Sequence, residues 1–230
     1  MRIAIFGANG ATGRILTRRA LDAGHSVIAV TRHPEQFPIA DPKLTVAGAD
    51  VRDLTAVTAA VEGTDAVLST LGVTFTMAPV DTYSVGVANI VSAMRTAGVD
   101  RLAVVSSTAI ANYPGRTDTP FALRVVQPVI SSVFGKTLYA DMRRMEDIVA
   151  DSGLNWTIVR PSGLFDLPDV TEYLAGQRDP VGAFTSRTDL ADYLLKLAES
   201  PESGATVTIS TTVDTPSMWQ LLRREAFKSA

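Results

Sequence analysis

The sequence contains no cysteine, and His25 and His33 are the only histidines among its 230 residues. The absence of cysteine excludes disulfides, thiolate metal ligands and a cysteine nucleophile. With only two histidines, the chain has few imidazoles to serve as metal ligands or as the base of a Ser-His-Asp triad, so we expect no metal site. No segment approaches the ~20 consecutive apolar residues of a membrane-spanning helix, and the apolar N-terminal stretch is too short for a signal peptide. These absences predict a cytoplasmic protein.

Strong charge of either sign is missing as well. Lys and Arg number 21 against 24 Asp and Glu, which leaves a formal net charge of −3. This balance gives no electrostatic reason to expect nucleic acid or a membrane surface as a partner. The hydrophobic fraction of 46% is sufficient for a substantial core. We therefore expect one domain spanning residues 1–230, and the sequence indicates no oligomeric state.

Three glycines at intervals of three residues follow the first apolar run of the chain, residues 2–6. Gly7 suits a tight turn, Gly10 allows the backbone to approach a pyrophosphate, and Gly13 allows a helix to pack closely on the preceding strand. The N–H groups of the first helical turn would face the same phosphates. The predicted contacts of this dinucleotide loop are Gly7, Asn9, Gly10, Ala11, Thr12 and Gly13.

Short apolar runs alternate with helical patterns along the rest of the chain, which is typical of repeated βαβ units. Strands are predicted at about 2–6, 26–30, 44–48, 65–69, 101–106 and 155–160, and helices at about 12–23, 53–61, 81–97, 138–151, 188–199 and 215–227. The predicted fold class is α/β, a doubly wound parallel sheet of the Rossmann type with a small C-terminal portion on the substrate side. The long irregular segments 112–137 and 161–187 follow strand ends and are expected to form the substrate side.

The end of the second strand indicates the type of dinucleotide. An NAD site places an acid on the ribose 2′-hydroxyl about twenty residues beyond the glycines. Here the sequence has Thr31 and Arg32 instead. A guanidinium can bind the 2′-phosphate of NADP through two hydrogen bonds, so we predict NADP(H) as the cofactor.

The GxxGxxG spacing resembles the short-chain dehydrogenase superfamily, in particular its atypical branch of NmrA-like and biliverdin-reductase-B (flavin reductase)-like proteins. The similarity continues in Arg32, Leu71-Gly72, Asn89–Met94, Ser107 and Ser186–Leu190. It implies contacts of Asp50 and Val51 with adenine and of Leu71 and Gly72 with the ribose. It also implies that Ser106, Ser107 and the backbone of Pro161, Ser162 and Gly163 lie at the nicotinamide end.

The catalytic machinery of the superfamily is incomplete in this chain. Ser107, with Ser106 beside it, matches the serine that binds the substrate carbonyl, but the YxxxK motif is absent. Tyr139 lies four residues before Arg143, which stays protonated and cannot relay a proton. Counting back from Glu146 instead places Met142 and Leu138 at the Lys and Tyr positions. Ser107 and Tyr139 are thus the candidate catalytic residues, Tyr139 being either a proton donor or a neighbour of the site.

The resemblance implies an NADPH-dependent reductase that transfers hydride to a conjugated small molecule of the flavin, quinone or bilin type. Tyr113, Phe121 and Phe165 are candidate walls for such an acceptor. The missing Tyr-Lys pair agrees equally with a non-catalytic NmrA-like sensor that binds NADP(H). An NADP-dependent epimerase is a third hypothesis, although no second acid/base pair is apparent in the sequence.

Overall fold

The computed structural model of the chain describes residues 1–74, 76, 78–117, 136–200 and 204–216. The described strands are β1 (Arg2–Phe6), β2 (Ser26–Thr31), β3 (Leu44–Gly48), β4 (Ala66–Ser69), β5 (Arg101–Val105), β6 (Asn155–Pro161), β7 (Gly163–Phe165), β8 (Tyr173–Gly176), β9 (Phe184–Ser186) and β10 (Ala205–Thr211). The described α-helices are α1 (Ala11–Asp22), α2 (Leu54–Val61), α3 (Thr82–Ala97), α4 (Lys136–Ala150) and α5 (Arg187–Glu199).

Eight strands form one sheet in the order β3-β2-β1-β4-β5-β6-β10-β8. All neighbours are parallel except β8, which runs antiparallel to β10 at the edge. The strand order reverses beside β1, so β1 and β4 flank the switch point at which doubly wound sheets bind ligands. The strands β7 and β9 form a separate parallel pair.

Hydrophobic side chains cover both faces of the sheet, as a parallel sheet requires. Ala4 and Phe6 of β1 point to one face and pack in a core with α2, α3 and α4. Ile3 and Ile5 point to the other face and pack with α1 and α5. This two-sided core confirms the predicted doubly wound α/β fold.

The six predicted strands are all present, and each predicted helix within the described residues begins and ends within two residues of the observed one. The prediction was wrong in treating 161–187 as irregular, because this segment contains β7, β8 and β9. It also missed β10. The predicted helix at 215–227 falls almost wholly outside the described residues.

The N-cap side chains of α2 and α5 accept hydrogen bonds from the first turns of their helices. Asp53 caps α2 by accepting hydrogen bonds from Thr55 N–H at 2.9 Å and Ala56 N–H at 3.2 Å. Ser186 caps α5 through Thr188 N–H at 3.1 Å. Over the part of the chain that the structure describes, no helix has the length and hydropathy to cross a membrane.

Candidate dinucleotide site

A cleft of about 1050 Å³ opens at the carboxyl ends of β1, β2, β4, β5 and β6. The structure brings most of the predicted site residues to its wall. These are Gly7, Asn9, Gly10, Ala11, Thr12, Thr31, Arg32, Asp50, Val51, Leu71, Gly72, Ser106, Ser107, Tyr139, Pro161, Ser162 and Gly163. Residues as far apart in sequence as Gly7 and Gly163 therefore share one continuous surface.

The glycine loop has the shape that a phosphate-binding turn needs. Gly7 adopts φ +74°, the left-handed region that favours glycine. Gly13 lies below the loop, where an added Cβ would stand 2.3 Å from Gly7 O and 2.8 Å from Ala8 O. No side chain caps α1, and its first turn has no acid. The N-terminal N–H groups of α1 are thus open to an anion from the cleft.

Arg14 adds a cation to this loop that the sequence analysis did not single out. Its Nε and Nη2 donate to Asn9 Oδ1 at 2.9 and 2.7 Å. These two hydrogen bonds fix the Asn9 side chain over the loop, and they place the positive charge of Arg14 beside the first turn of α1. Helix α1 carries three arginines, and no sequence signal separates Arg14 from Arg18, which pairs with Asp22 at 2.9 Å and Asp41 at 3.0 Å, or from Arg19, which pairs with Asp192.

Two further arginines lie at the end of the cleft that is predicted to hold adenosine. Arg32 is exposed on the wall, directly after β2. Arg52 also lines the wall, donates to Thr82 Oγ1 at 2.9 Å and pairs with Asp81. Sequence reasoning missed Arg52, whose role depends on α3 beginning opposite the end of β3.

Asp50 and Val51 form a fixed edge next to these cations. Asp50 Oδ1 accepts a hydrogen bond from Arg52 N–H at 2.9 Å, which closes a tight turn. Asn89 of α3 donates from Nδ2 to Val51 O at 2.8 Å and holds the backbone of the turn. Val51 itself is buried. The pair therefore offers an apolar face and a carboxylate, as an adenine site requires.

The segment after β4 forms the middle of the cleft. A Cβ on Gly72 would meet nothing within 4 Å, so this position opens onto the cleft. The following residue, Val73, donates its N–H to Tyr83 Oη at 3.1 Å. Burial raises the pKa of Tyr83, which stays a neutral phenol and anchors this segment to α3.

Two serines follow β5, at the end of the cleft that is predicted to hold nicotinamide. Ser106 is buried, and its Oγ has no hydrogen-bond partner among the described residues. Ser107 Oγ accepts a hydrogen bond from Ala109 N–H at 3.1 Å in the short helical turn Thr108–Ile110. That bond occupies an oxygen lone pair and leaves the hydroxyl hydrogen of Ser107 to a group in the cleft.

Helix α4 presents apolar side chains where a Tyr-Lys pair would stand. Leu138 and Met142 are both buried and both line the cleft, and partly buried Tyr139 lies beside them. Arg143 turns away and donates from Nε and Nη2 to Ile110 O at 3.2 and 3.1 Å. This geometry agrees with the register counted from Glu146.

The segment after β6 reaches the cleft, but its backbone donors are engaged. Ser162 N–H donates to Thr185 Oγ1 at 2.9 Å, and Gly163 N–H donates to Ala183 O at 2.9 Å. Pro161 has no N–H. This segment can therefore offer carbonyl oxygens and the Ser162 hydroxyl to a carboxamide, but no backbone N–H.

Of the three predicted aromatic walls, the two that the structure describes, Tyr113 and Phe165, do not line the cleft. Phe165 is 5% exposed and packs edge-on against Phe184, with ring centroids 6.1 Å apart. Tyr113 Oη accepts a hydrogen bond from Arg160 at 3.2 Å, behind the cleft wall. The same guanidinium forms a bidentate ion pair with Glu146, which raises the pKa of Arg160. Phe121 lies outside the described residues.

The residues present fit a nicotinamide dinucleotide. The cleft has a glycine-containing turn beneath the N-terminus of α1, arginines at the end predicted to hold adenosine, and at the other end a buried Ser106 hydroxyl without a hydrogen-bond partner among the described residues. Fold and site together define a dinucleotide-binding protein. The chain belongs to the NAD(P)H-binding family, whose model matches residues 7–201, so the predicted family and nicotinamide cofactor are confirmed.

Relatives by sequence include the protein Rv2047c of Mycobacterium tuberculosis, which is 32% identical over 166 residues. That match covers 72% of this chain and only 15% of the relative, so the chain spans a small part of the Mycobacterium protein. YhfK of Bacillus subtilis, an uncharacterised sugar epimerase by name, is 30% identical over 83% of this chain and 85% of its own length.

Solved structures share the fold. A short-chain dehydrogenase/reductase from Veillonella parvula in complex with NADP matches with a TM-score of 0.77 at 19% identity, over 94% of this chain and 99% of that chain. The anaerobilin reductase ChuY from Escherichia coli O157:H7 matches with a TM-score of 0.73 at 20% identity, over 94% of this chain and 100% of that one.

Proposed function

We propose that the protein is an NADPH-dependent reductase that transfers hydride to a conjugated small-molecule acceptor of the flavin, quinone or bilin type. The observation that carries this proposal is the apolar wall that Leu138 and Met142 give to the cleft that Ser107 also lines. An apolar wall beside a hydrogen-bond donor suits a flat acceptor better than an alcohol. Relay of a proton from an alcohol would need an ionisable pair at those positions.

The bound cofactor would supply the hydride. The glycine loop and the N-terminus of α1 would hold its pyrophosphate, and Leu138 and Met142 would keep water away from the reacting ring. Ser107 would donate its hydroxyl hydrogen to a carbonyl or imine-type acceptor atom. A conjugated acceptor spreads the arriving negative charge over its own π-system. The protein would therefore need only to bind and orient the cofactor and the acceptor for hydride transfer to occur.

The choice of NADP over NAD rests on Arg32. Its guanidinium is exposed on the cleft wall, and the described residues show it no carboxylate partner. The 2′-phosphate of NADP would accept two hydrogen bonds from the Arg32 guanidinium, whereas the 2′-hydroxyl of NAD would leave the guanidinium without an anionic partner.

An epimerase that uses bound NADP is a second candidate, because YhfK carries the name of a sugar epimerase. That reaction needs a proton donor and acceptor at the sugar carbon, and Tyr83 and Tyr139 are the phenols that line the described part of the cleft. A third candidate is an NADP(H)-binding sensor, which would require only the part of the cleft that binds the cofactor.

The test is steady-state oxidation of NADPH with a flavin, a quinone and a bilin, the bilin because ChuY has this fold. We expect turnover with at least one acceptor and a loss of turnover, with folding retained, in Ser107→Ala. Tight NADPH binding without turnover on any of them would reject the reductase. Conversion of a sugar nucleotide without net NADPH oxidation, followed by NMR, would instead establish the epimerase.

A further inference from the structure

We infer that the acceptor is an anion and that Arg187 binds its carboxylate or phosphate after exchanging it for Asp166. This inference rests on the proposed reductase and names the chemical class of its acceptor. Arg187 lines the cleft at the end opposite Arg32, next to Ser162, Gly163 and Leu164. The guanidinium is therefore a cation at the mouth through which an acceptor would reach the nicotinamide.

The short β7–β9 pair determines this position. Gly163 pairs with Phe184, and Phe165 pairs with Ser186. This pairing joins the segment after β6 to the residues that precede α5. Arg187 is the first residue of α5, directly after its cap Ser186. Its backbone is thus held by the helix cap on one side and by the strand pair on the other, and a ligand would find the side chain already oriented.

The present partner of Arg187 is weakly held. Arg187 Nη1 donates to Asp166 Oδ1 at 2.8 Å, and the two side chains are 24% and 65% exposed. An ion pair with one partner this exposed contributes about 1 kcal/mol or less. An anionic ligand in the cleft would be less solvated than Asp166 and could use the guanidinium fork with two hydrogen bonds. Exchange of Asp166 for a ligand therefore costs the protein little.

The electrostatic surroundings favour an anion at this end. Asp50 is the one carboxylate among the described lining residues, and it lies at the adenosine end. Behind the wall, the guanidinium of Arg116 donates to Ser162 Oγ at 3.1 Å and to Gly182 O at 3.0 Å, both neutral acceptors. Burial lowers the pKa of Arg116, which shows that its charge is poorly compensated there.

The experiment measures binding of two matched pairs of probes to the protein loaded with NADP⁺, by calorimetry. Biliverdin and its dimethyl ester differ in carboxylate charge, and FMN and riboflavin differ in a phosphate. We expect the anionic member of at least one pair to bind about tenfold more tightly, the effect of one charge-assisted hydrogen-bonded pair. The pair that shows the preference identifies the anion as carboxylate or phosphate.

Variants of the two residues should change this preference in opposite directions. Arg187→Gln should abolish it and leave the neutral probe unaffected, and Arg187→Lys should restore part of it. Asp166→Asn should strengthen binding of the anionic probe severalfold, because it removes a competitor for Arg187. If the ion pair were only structural, both variants would weaken both probes equally.

Equal binding of both members in both pairs, or binding of no probe, would overturn the inference, and so would weaker anion binding in Asp166→Asn. Failure of the proposed function looks different. In that case no acceptor oxidises NADPH, while the charge preference and its dependence on Arg187 persist. Turnover of neutral acceptors with no effect of Arg187→Gln would keep the reductase and reject the anion site.

Discussion

The carboxylate of Asp141 in α4 accepts a 2.8 Å hydrogen bond from the backbone N–H of Tyr83 in α3. Asp141 is fully buried, and it also accepts hydrogen bonds from Ser84 Oγ and from Arg144 at 3.0 Å. One helix thereby caps the N-terminus of its neighbour, and both helices supply residues to the cleft wall. The Asp141 carboxylate therefore holds together two helices that line the cleft.

Replacing Asp141 with Ala should lower the free energy of unfolding by about 3 kcal/mol, since it leaves buried N–H groups of α3 without a charged acceptor. Urea denaturation would measure the loss. Asp147→Ala is the matched control, because Asp147 is an exposed acid on the same helix and should change stability little. Equal stability of the two variants would contradict the capping role.

Alanine at Gly13 and alanine at Gly72 should have different effects. The Cβ of Ala at Gly13 would collide with the backbone of Gly7 and Ala8, so we expect a loss of about 3 kcal/mol or more in stability. At Gly72 the added Cβ meets open space in the protein, so stability should be retained and NADPH affinity should fall. Thermal unfolding and fluorescence titration with NADPH would separate the two effects. Unchanged NADPH affinity in Gly72→Ala would place the ribose elsewhere.

Replacing Arg32 with Ala should weaken NADPH binding by about tenfold to a hundredfold through loss of the phosphate contact. NADH is the internal control, because it lacks the 2′-phosphate and its affinity should not change. The measurement is the ratio of the two dissociation constants. A variant that loses both cofactors equally would show that Arg32 acts on the fold and not on the phosphate.

Replacing Glu146 with Gln should destabilise the protein by about 3 kcal/mol, because Arg160 would remain largely buried without its carboxylate. The double variant Glu146→Gln with Arg160→Met should recover part of this loss by removing the unpaired charge. Chemical denaturation of the single and double variants would measure both effects. A double variant less stable than Glu146→Gln would mean that Arg160 contributes mainly by packing.

Alkaline pH should destabilise the protein through Tyr173. Burial, assisted by Asp192, raises the pKa of Tyr173 to about 12, and the hydrogen bond from Lys196 opposes this shift. A raised folded-state pKa contributes stability below the unfolded value of 10.0, and this contribution is lost as pH rises from 10 to about 12. Tyr173→Phe should flatten the fall in unfolding free energy across that window. An identical pH dependence in both proteins would refute the assignment.

The parallel core of the sheet was predictable because its strands are continuous apolar runs ended by turn residues. Strand β10 was missed although Ala205, Val207 and Ile209 alternate with Thr206, Thr208 and Ser210, which is the pattern of a half-buried strand. What the alternation does not reveal is that Thr208 and Ser210 are buried too: Thr208 donates to Arg178 O at 2.8 Å and Ser210 accepts from Val181 N–H at 3.1 Å. Such partners come from loops that no local pattern identifies.

The cofactor half of the site follows from strand ends and glycine spacing, both visible in the sequence. The acceptor half depends on tertiary pairing. Phe165 and Leu164 are neighbours in β7, yet Leu164 lines the cleft and Phe165 points into the core, because side chains alternate along a strand. No local pattern singles out Arg187 within the segment 161–187, since its place in the cleft depends on the pairing of β7 with β9.

The engaged backbone N–H groups of Ser162 and Gly163 have a stereochemical consequence under the proposed function. With those donors occupied by Thr185 and Ala183, the segment can bind the amino group of a nicotinamide carboxamide but not its oxygen through the backbone. One orientation of the amide would thereby be preferred. A nicotinamide ring held in one orientation would present one face to the acceptor, so the transferred hydrogen would come from a single prochiral position of the dihydronicotinamide.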